Sequence, residues 1–270
     1  MRFKTVFISD VHLGTRACQA GRLLDFLRHH PCDQLYLVGD IIDFWSMSRG
    51  IHWTREQNTV VQKVLRMARH GTRVWFIPGN HDEALRDYCG SVFGDIHLLD
   101  EAIHTTADGR RLLVVHGDAF DQVTYHHRWV AVLGDIGYNT LVRLNIWLSR
   151  MRRLLGISGY WSLAGYAKQK VKRALEFVFD FEDSVIHHVR DRELDGVVCG
   201  HIHWPAVKDC DGTLYANCGD WVDSCSALVE DASGALRVVR WHPGMSQPVI
   251  EEPVGEVPEV VPEEEAACVS

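Results

Sequence analysis

The sequence predicts a mixed α/β fold of two packed β-sheets flanked by helices. Three observations carry this. Strand-like and helix-like periodicities alternate through the first hundred residues. Five short clusters of His, Asp and Asn each follow a strand-like run directly. A late stretch, 195–241, holds only short alternating runs punctuated by turns.

The elements follow in order. Lys4-Thr5-Val6-Phe7-Ile8-Ser9 is rich in β-branched and aromatic residues and reads as the first strand. Leu23, Leu24, Phe26 and Leu27 form a helical stripe. Leu35-Tyr36-Leu37-Val38 is the second strand, and Val60, Val61, Val64, Leu65 and Ala68 recur at helical spacing. Arg73-Val74-Trp75-Phe76-Ile77 is the third strand, so this half reads as βαβ units on a buried sheet. A further apolar run ends at Val114-Val115-His116. Strand signals return at Asp195-Gly196-Val197-Val198-Cys199, with turns at Asp211-Gly212 and Ser233-Gly234.

Of the 270 residues, 46% are hydrophobic, enough to bury a sizeable core and to exclude a largely disordered chain. The net charge of −8 is local. Seven Glu and no Lys or Arg lie from Glu251 onward, which leaves 28 basic against 29 acidic residues before it. A globally basic nucleic-acid binder is therefore not expected. The apolar run at the start stops at Asp10, too early for a signal peptide, and no stretch reaches the roughly 18 apolar residues that span a bilayer. Eight scattered cysteines with no C-x-x-C pair point to a reduced, cytoplasmic protein.

Between Gln122 and Arg173 nine Lys or Arg face one acid, Asp135, among three Trp and four Tyr. This reads as a basic, amphipathic helical insertion, placed at about 122–190 within one domain over 1–245. Residues 246–270, with all seven Glu and four Pro, read as an acidic disordered tail.

The chemistry lies in Asp10-x-His12, Gly39-Asp40, Gly79-Asn80-His81-Asp82, His116-Gly117-Asp118 and Gly200-His201-x-His203. Strand C-termini converge on one sheet edge, where ligands sit. Five such ends would gather imidazoles and short oxygen ligands around one point, a set suited to two divalent first-row ions rather than a closed thiolate zinc site. Each x-spaced pair would point one way through strand alternation, and the glycines would let the chain turn at the strand ends.

This ordered set resembles the calcineurin-like metallophosphoesterase superfamily over about residues 5–220. The resemblance implies a four-layer αββα sandwich. It implies Asp10, His12, Asp40 and His203 on one metal and Asp40, Asn80, His116 and His201 on the other, with Mn²⁺ the expected ion and Fe, Co or Zn as alternatives. His81 takes the position of the catalytic histidine, with Asp82 beside it as its orienting group. Asp43 and Asp118 are expected as partners of ligating histidines or as helix caps. The size, Ser9-Asp10-Val11-His12-Leu13, Gly39 to Trp45 and the helical insertion most resemble the UDP-2,3-diacylglucosamine diphosphatases of lipid A synthesis, although these carry Arg where this chain has His81. By that resemblance a hydroxide bridging the metals would cleave a nucleotide-linked lipid diphosphate into UMP and a lipid 1-phosphate. Asn80, Arg128, Lys168, Lys172 and Arg173 would contact substrate, and the basic insertion could meet an anionic membrane surface from the cytoplasmic side. The alternatives are a generic phosphodiesterase or phosphatase and a non-catalytic scaffold.

Overall fold

The computed structural model describes residues 2–123, 163–241 and 249–251. Its strands are β1 (Phe3–Ile8), β2 (Cys32–Val38), β3 (Arg73–Ile77), β4 (Val92–Phe93), β5 (Ile96–Leu98), β6 (Ala102–Thr105), β7 (Arg111–Val114), β8 (Gly196–Cys199), β9 (Ala206–Cys210), β10 (Thr213–Asn217), β11 (Ser226–Glu230), β12 (Leu236–Arg240) and β13 (Val249–Glu251). The helices are α1 (Ala20–His29), the single turn α2 (Phe44–Met47), α3 (Arg55–Arg69) and the long α4 (Leu163–Asp191).

The strands form two sheets, ordered β13-β12-β11-β1-β2-β3-β5-β4 and β6-β7-β8-β10-β9. In the first, β1, β2, β3 and β5 run parallel; in the second, β7, β8 and β10 do. The sheets face each other across Phe7, Val38, Ile77 and Leu228 on one side and Leu112, Val114, Val198 and Ala216 on the other. Burying one such Phe or Leu stabilises the fold by roughly 1.5–3 kcal/mol.

The outer face of the larger sheet is covered by α1 and α3. In α1, Leu23, Leu24, Phe26 and Leu27 are buried, as the sequence stripe requires. A capping box starts α3: Thr54 Oγ1 accepts from the Gln57 amide, and Gln57 Oε1 accepts from the Thr54 amide. Gln57 Oε1 also accepts from the Gly14 amide at 3.2 Å, and its Nε2 donates to the Thr15 carbonyl at 2.8 Å. One capping residue thus fixes both a helix start and the loop that follows β1. The smaller sheet is covered by the second half of α4, through Phe181, Val185, Ile186 and Val189. The result is four layers, α-β-β-α, as expected.

The sequence periodicities did not mark β4, β5 and β6, which span two to four residues each and are too short to alternate visibly. The tail also differs from expectation. Val249–Glu251, inside the stretch read as disordered, pairs antiparallel with β12, because Val and Ile beside a free sheet edge favour an added strand. Most of the expected insertion lies outside the described residues, and no helix among those described is long and apolar enough to cross a membrane.

Candidate metal centre

The five clusters stand at the C-terminal ends of parallel strands from both sheets: β1, β2 and β3 in one, β7 and β8 in the other. The loops brace one another. The Asp10 amide donates to the Gly39 carbonyl, the His12 amide to the Asp40 carbonyl and the Gly200 amide to the His116 carbonyl.

Nine non-glycine residues among those described have positive φ, and five are Asp10, His12, Asp40, His201 and His203, at 51° to 70°. Such left-handed conformations are costly for a side-chain-bearing residue and persist where surrounding structure enforces them, often at functional sites. The expected strand alternation therefore does not aim these pairs. Both lie beyond their strands, and successive left-handed turns aim them instead. The glycines also divide. Gly39 does turn in the left-handed region, and a Cβ there would sit 2.2 Å from His116 Nδ1. At Gly79 no such turn occurs; a Cβ would lie 2.4 Å from Asp40 Oδ1, so close approach is the reason for glycine.

Among the described residues, three groups of side chains bring donor atoms within 4.8 Å of one another: Asp10 with His12 and His203, Asp10 with Asp40 and His116, and His12 with Asp43 and His81. His201 packs edge-on to His116, ring centres 5.2 Å apart. Asn80 is buried, and neither of its amide side-chain atoms has a hydrogen bond; the same holds for His12 Nε2 and His116 Nε2. Buried polar atoms without hydrogen bonds are expensive, and so many in one place fit a site that binds a cation. Nitrogen and oxygen donors without thiolate fit a divalent first-row ion.

Electrostatics agree. Burial pushes the Asp10 carboxyl up, but His203 and His116 hold it below its ordinary value. Burial opposes ionisation of Asp40 too, and His116 and His81 pull it well below the carboxylate range. The converse appears at His116. Burial would lower the imidazole, but Asp40, Asp10 and Asp118 raise it to about 10.

His81 is half-buried and oriented by Asp43, not by Asp82. Asp43 Oδ1 lies 3.0 Å from His81 Nδ1, and Asp43 Oδ2 lies 3.0 Å from His12 Nδ1. Asp43 also caps α2 by accepting from the Ser46 amide, so both expected roles are filled by one carboxylate. Burial raises its carboxyl, but His12, His81 and the Ser46 amide pull it far down. Asp82 instead accepts backbone amides from Gly79, Ile41 and Ile42, stapling the loop after β3 to the loop after β2. Burial and Asp40 hold its carboxyl above the usual value. Asp118 pairs with Arg86, whose guanidinium Nη2 lies 2.8 Å from both oxygens.

A sixth loop, after β10, also braces the centre, although it is not among the five clusters. The Trp221 amide donates to the Asp10 carbonyl, Ser9 Oγ donates to the Gly219 carbonyl, and Asn217 Nδ2 donates to the Gly200 carbonyl. Its signal was present: Gly219-Asp220 stands one residue beyond the strand-like Leu214-Tyr215-Ala216-Asn217, much as Gly39-Asp40 stands directly after β2. Of the expected substrate contacts other than Asn80, Arg128 lies outside the described residues. Lys168, Lys172 and Arg173 fall in the first half of α4, where only the backbone is described.

A four-layer sandwich with buried imidazole, carboxylate and amide donors at the shared strand edge defines a hydrolytic metal centre. The chain belongs to the calcineurin-like phosphoesterase family, whose sequence model matches residues 3–205, and it is a metallophosphoesterase. Members of this family use divalent metals. The chain is similar to UDP-2,3-diacylglucosamine hydrolases. That of Porphyromonas gingivalis is 27% identical, covering 86% of this chain and 96% of its own. That of Vibrio cholerae is 26% identical, covering 88% and 99%. Similar solved structures include vacuolar protein sorting 29 from Cryptosporidium parvum, at 12% identity and TM-score 0.47 over 92% of this chain and 95% of that one. The phosphoesterase Yfce from E. coli has 14% identity and TM-score 0.44 over 87% and 91%.

Proposed function

We propose that the chain cleaves the diphosphate of a UDP-2,3-diacylglucosamine-type substrate, releasing UMP and a lipid 1-phosphate. The observation that carries a metal-dependent reaction is the set of buried donor atoms without hydrogen bonds at His12, Asn80 and His116. The names of the relatives support the particular substrate.

In this reading Asp10, His12, Asp40 and His203 hold one divalent cation, and Asp40, Asn80, His116 and His201 hold the other. Bound there, the cations supply charge neutralisation at the phosphoryl oxygens and a lowered pKa for water. The chain's own residues set the geometry. Asp43 engages His12 Nδ1, so Nε2 is the atom left to face the centre. His116 Nδ1 donates to the Val38 carbonyl, leaving Nε2 as its ligand atom. His81 has Nδ1 on Asp43 and Nε2 3.8 Å from Asp40 Oδ2, at the edge of the centre. From there His81 donates a proton to the departing phosphate oxygen, and Asp43 stabilises the imidazolium that carries it.

The basic segment carrying Arg128, Lys168, Lys172 and Arg173 is assigned to the lipid side, against the diphosphate or an anionic membrane surface. A second reading, a phosphodiesterase with a smaller substrate, is favoured by His81, where the lipid A enzymes that the sequence resembles carry Arg. Turnover with added Mn²⁺ on UDP-diacylglucosamine beside bis-p-nitrophenyl phosphate, with products read by mass spectrometry, decides between them. UMP and lipid 1-phosphate are expected; cleavage of the diester alone would leave the second reading. Replacing residues 125–172 with a short Gly-Ser linker should keep diester cleavage and abolish lipid turnover.

A further inference from the structure

We propose that Trp204 is the platform on which the base of a bound nucleotide stacks, an assignment that rests on reading the centre as a nucleotide-diphosphate hydrolase. Trp204 follows His203 by one trans peptide unit, about 3.8 Å between Cα atoms. It is 57% exposed, more than any other Phe, Tyr or Trp among the described residues. It makes no hydrogen bond, ion pair or ring contact with any of them.

The contrast with Trp45 is informative. Trp45 is 39% exposed and lies against His81, ring centres 4.6 Å apart, so one of its faces is already used. From Trp45 the rings of His81, His12 and His203 follow in a row, with centres 4.6, 4.7 and 5.5 Å apart. Trp204 stands next to the far end of that row. A diphosphate held at the centre would send its two substituents away in different directions, and Trp204 adjoins a ligand position of that centre along the chain. A single open indole suits a nucleobase, which stacks on one face and keeps its polar edge in water. An acyl chain on the same surface would leave much of its area in water and gain little.

The test measures inhibition of bis-p-nitrophenyl phosphate hydrolysis by UMP and by ribose 5-phosphate, which keeps the phosphate and sugar but lacks the base. Wild type should bind UMP about fivefold or more tightly than ribose 5-phosphate. Trp204→Ala should bring the two inhibition constants together, and Trp204→Phe should keep most of the difference. Metal content of each protein is measured alongside. Equal constants in wild type, an unchanged ratio in Trp204→Ala, or a collapse that accompanies lost metal would each overturn the assignment. The wild-type and Phe arms stand even if the Ala variant fails to fold. UDP-diacylglucosamine turnover, measured in parallel, separates the two readings. A nucleotide preference without lipid turnover sinks the lipid substrate and keeps the platform; lipid turnover with equal constants does the reverse.

Discussion

Among the described residues, carboxylates are buried against imidazoles in two places, and the two places are finished differently. Between the sheets, Glu230 is fully buried. Its Oε2 accepts from Thr5 Oγ1 and faces His104 Nε2 at 2.9 Å, and its Oε1 accepts from the Ala107 amide. His104 Nδ1 in turn meets Tyr36 OH at 3.4 Å. Thr5 and Glu230 are direct cross-strand partners, and neither has positive φ. At the metal centre, buried nitrogens and both amide atoms of Asn80 are left without partners, and five candidate ligands sit at positive φ. Residue types alone would not separate the two clusters. Saturation and relaxed backbone mark the first as scaffold; unsatisfied donors and enforced strain mark the second as a site for something else.

The sharpest way to break this contrast is Asp40→Asn. Asp40 lies within donor distance of Asp10 and His116, and its Oδ1 accepts the His81 amide at 2.8 Å. As the proposed bridge it should take both metals with it, lowering kcat at least about 10³-fold. Metal analysis should show loss at both positions; two full equivalents retained would end the bridging role. Next, His81→Ala should keep its metals and lose about 10²–10⁴-fold in kcat on a poor leaving group, with a smaller loss on p-nitrophenolate esters. Equal losses on both would make His81 a binding group. Asp43→Asn should cost about 10–100-fold, because it loosens His12 and His81 together rather than removing either. An Asp43→Asn enzyme with a wild-type pH–rate profile would contradict its hold on His81.

How much of this was legible in the sequence follows from the physics of each signal. The long strands and α1 and α3 were visible because burial repeats at fixed periods over several residues, as in Leu23 to Leu27. The donor clusters were visible because each stands directly after a buried run. What was hidden was pairing. Asp43 and Asp82 are both acids beside motif residues, and only the folded loops reveal which one meets His81 and which one collects backbone amides. The Glu230 cluster joins residues 5, 104 and 230, so no local pattern could announce it. The left-handed backbone at His201 and His203 was equally invisible, since His carries no turn signature of the kind that Gly does.

The smallest effect expected, and the one that tests the scaffold half of the contrast, is Glu230→Gln. The amide cannot accept all the hydrogen bonds the carboxylate does: with its oxygen kept toward Thr5 and His104, its NH₂ meets the Ala107 N–H, donor against donor. A conflict of that kind costs about 1–3 kcal/mol of stability. Activity per folded molecule should not change, and the destabilisation of the metal-free protein should exceed that of Asp40→Asn. The pH dependence gives a second reading. Burial pushes the Glu230 carboxyl up, but His104, Thr5 and the Ala107 amide outweigh it and hold the group below its ordinary value of 4.5. A carboxyl depressed on folding contributes stability that is fully present above 4.5 and fades as pH falls through its lower folded value. Urea unfolding of wild type and Glu230→Gln should therefore differ most above about pH 5 and converge as the pH drops below 4. A gap that stays constant across that range would mean that Glu230 acts by shape alone, and its ionised hydrogen-bond set would lose its place as the saturated counterpart of the metal centre.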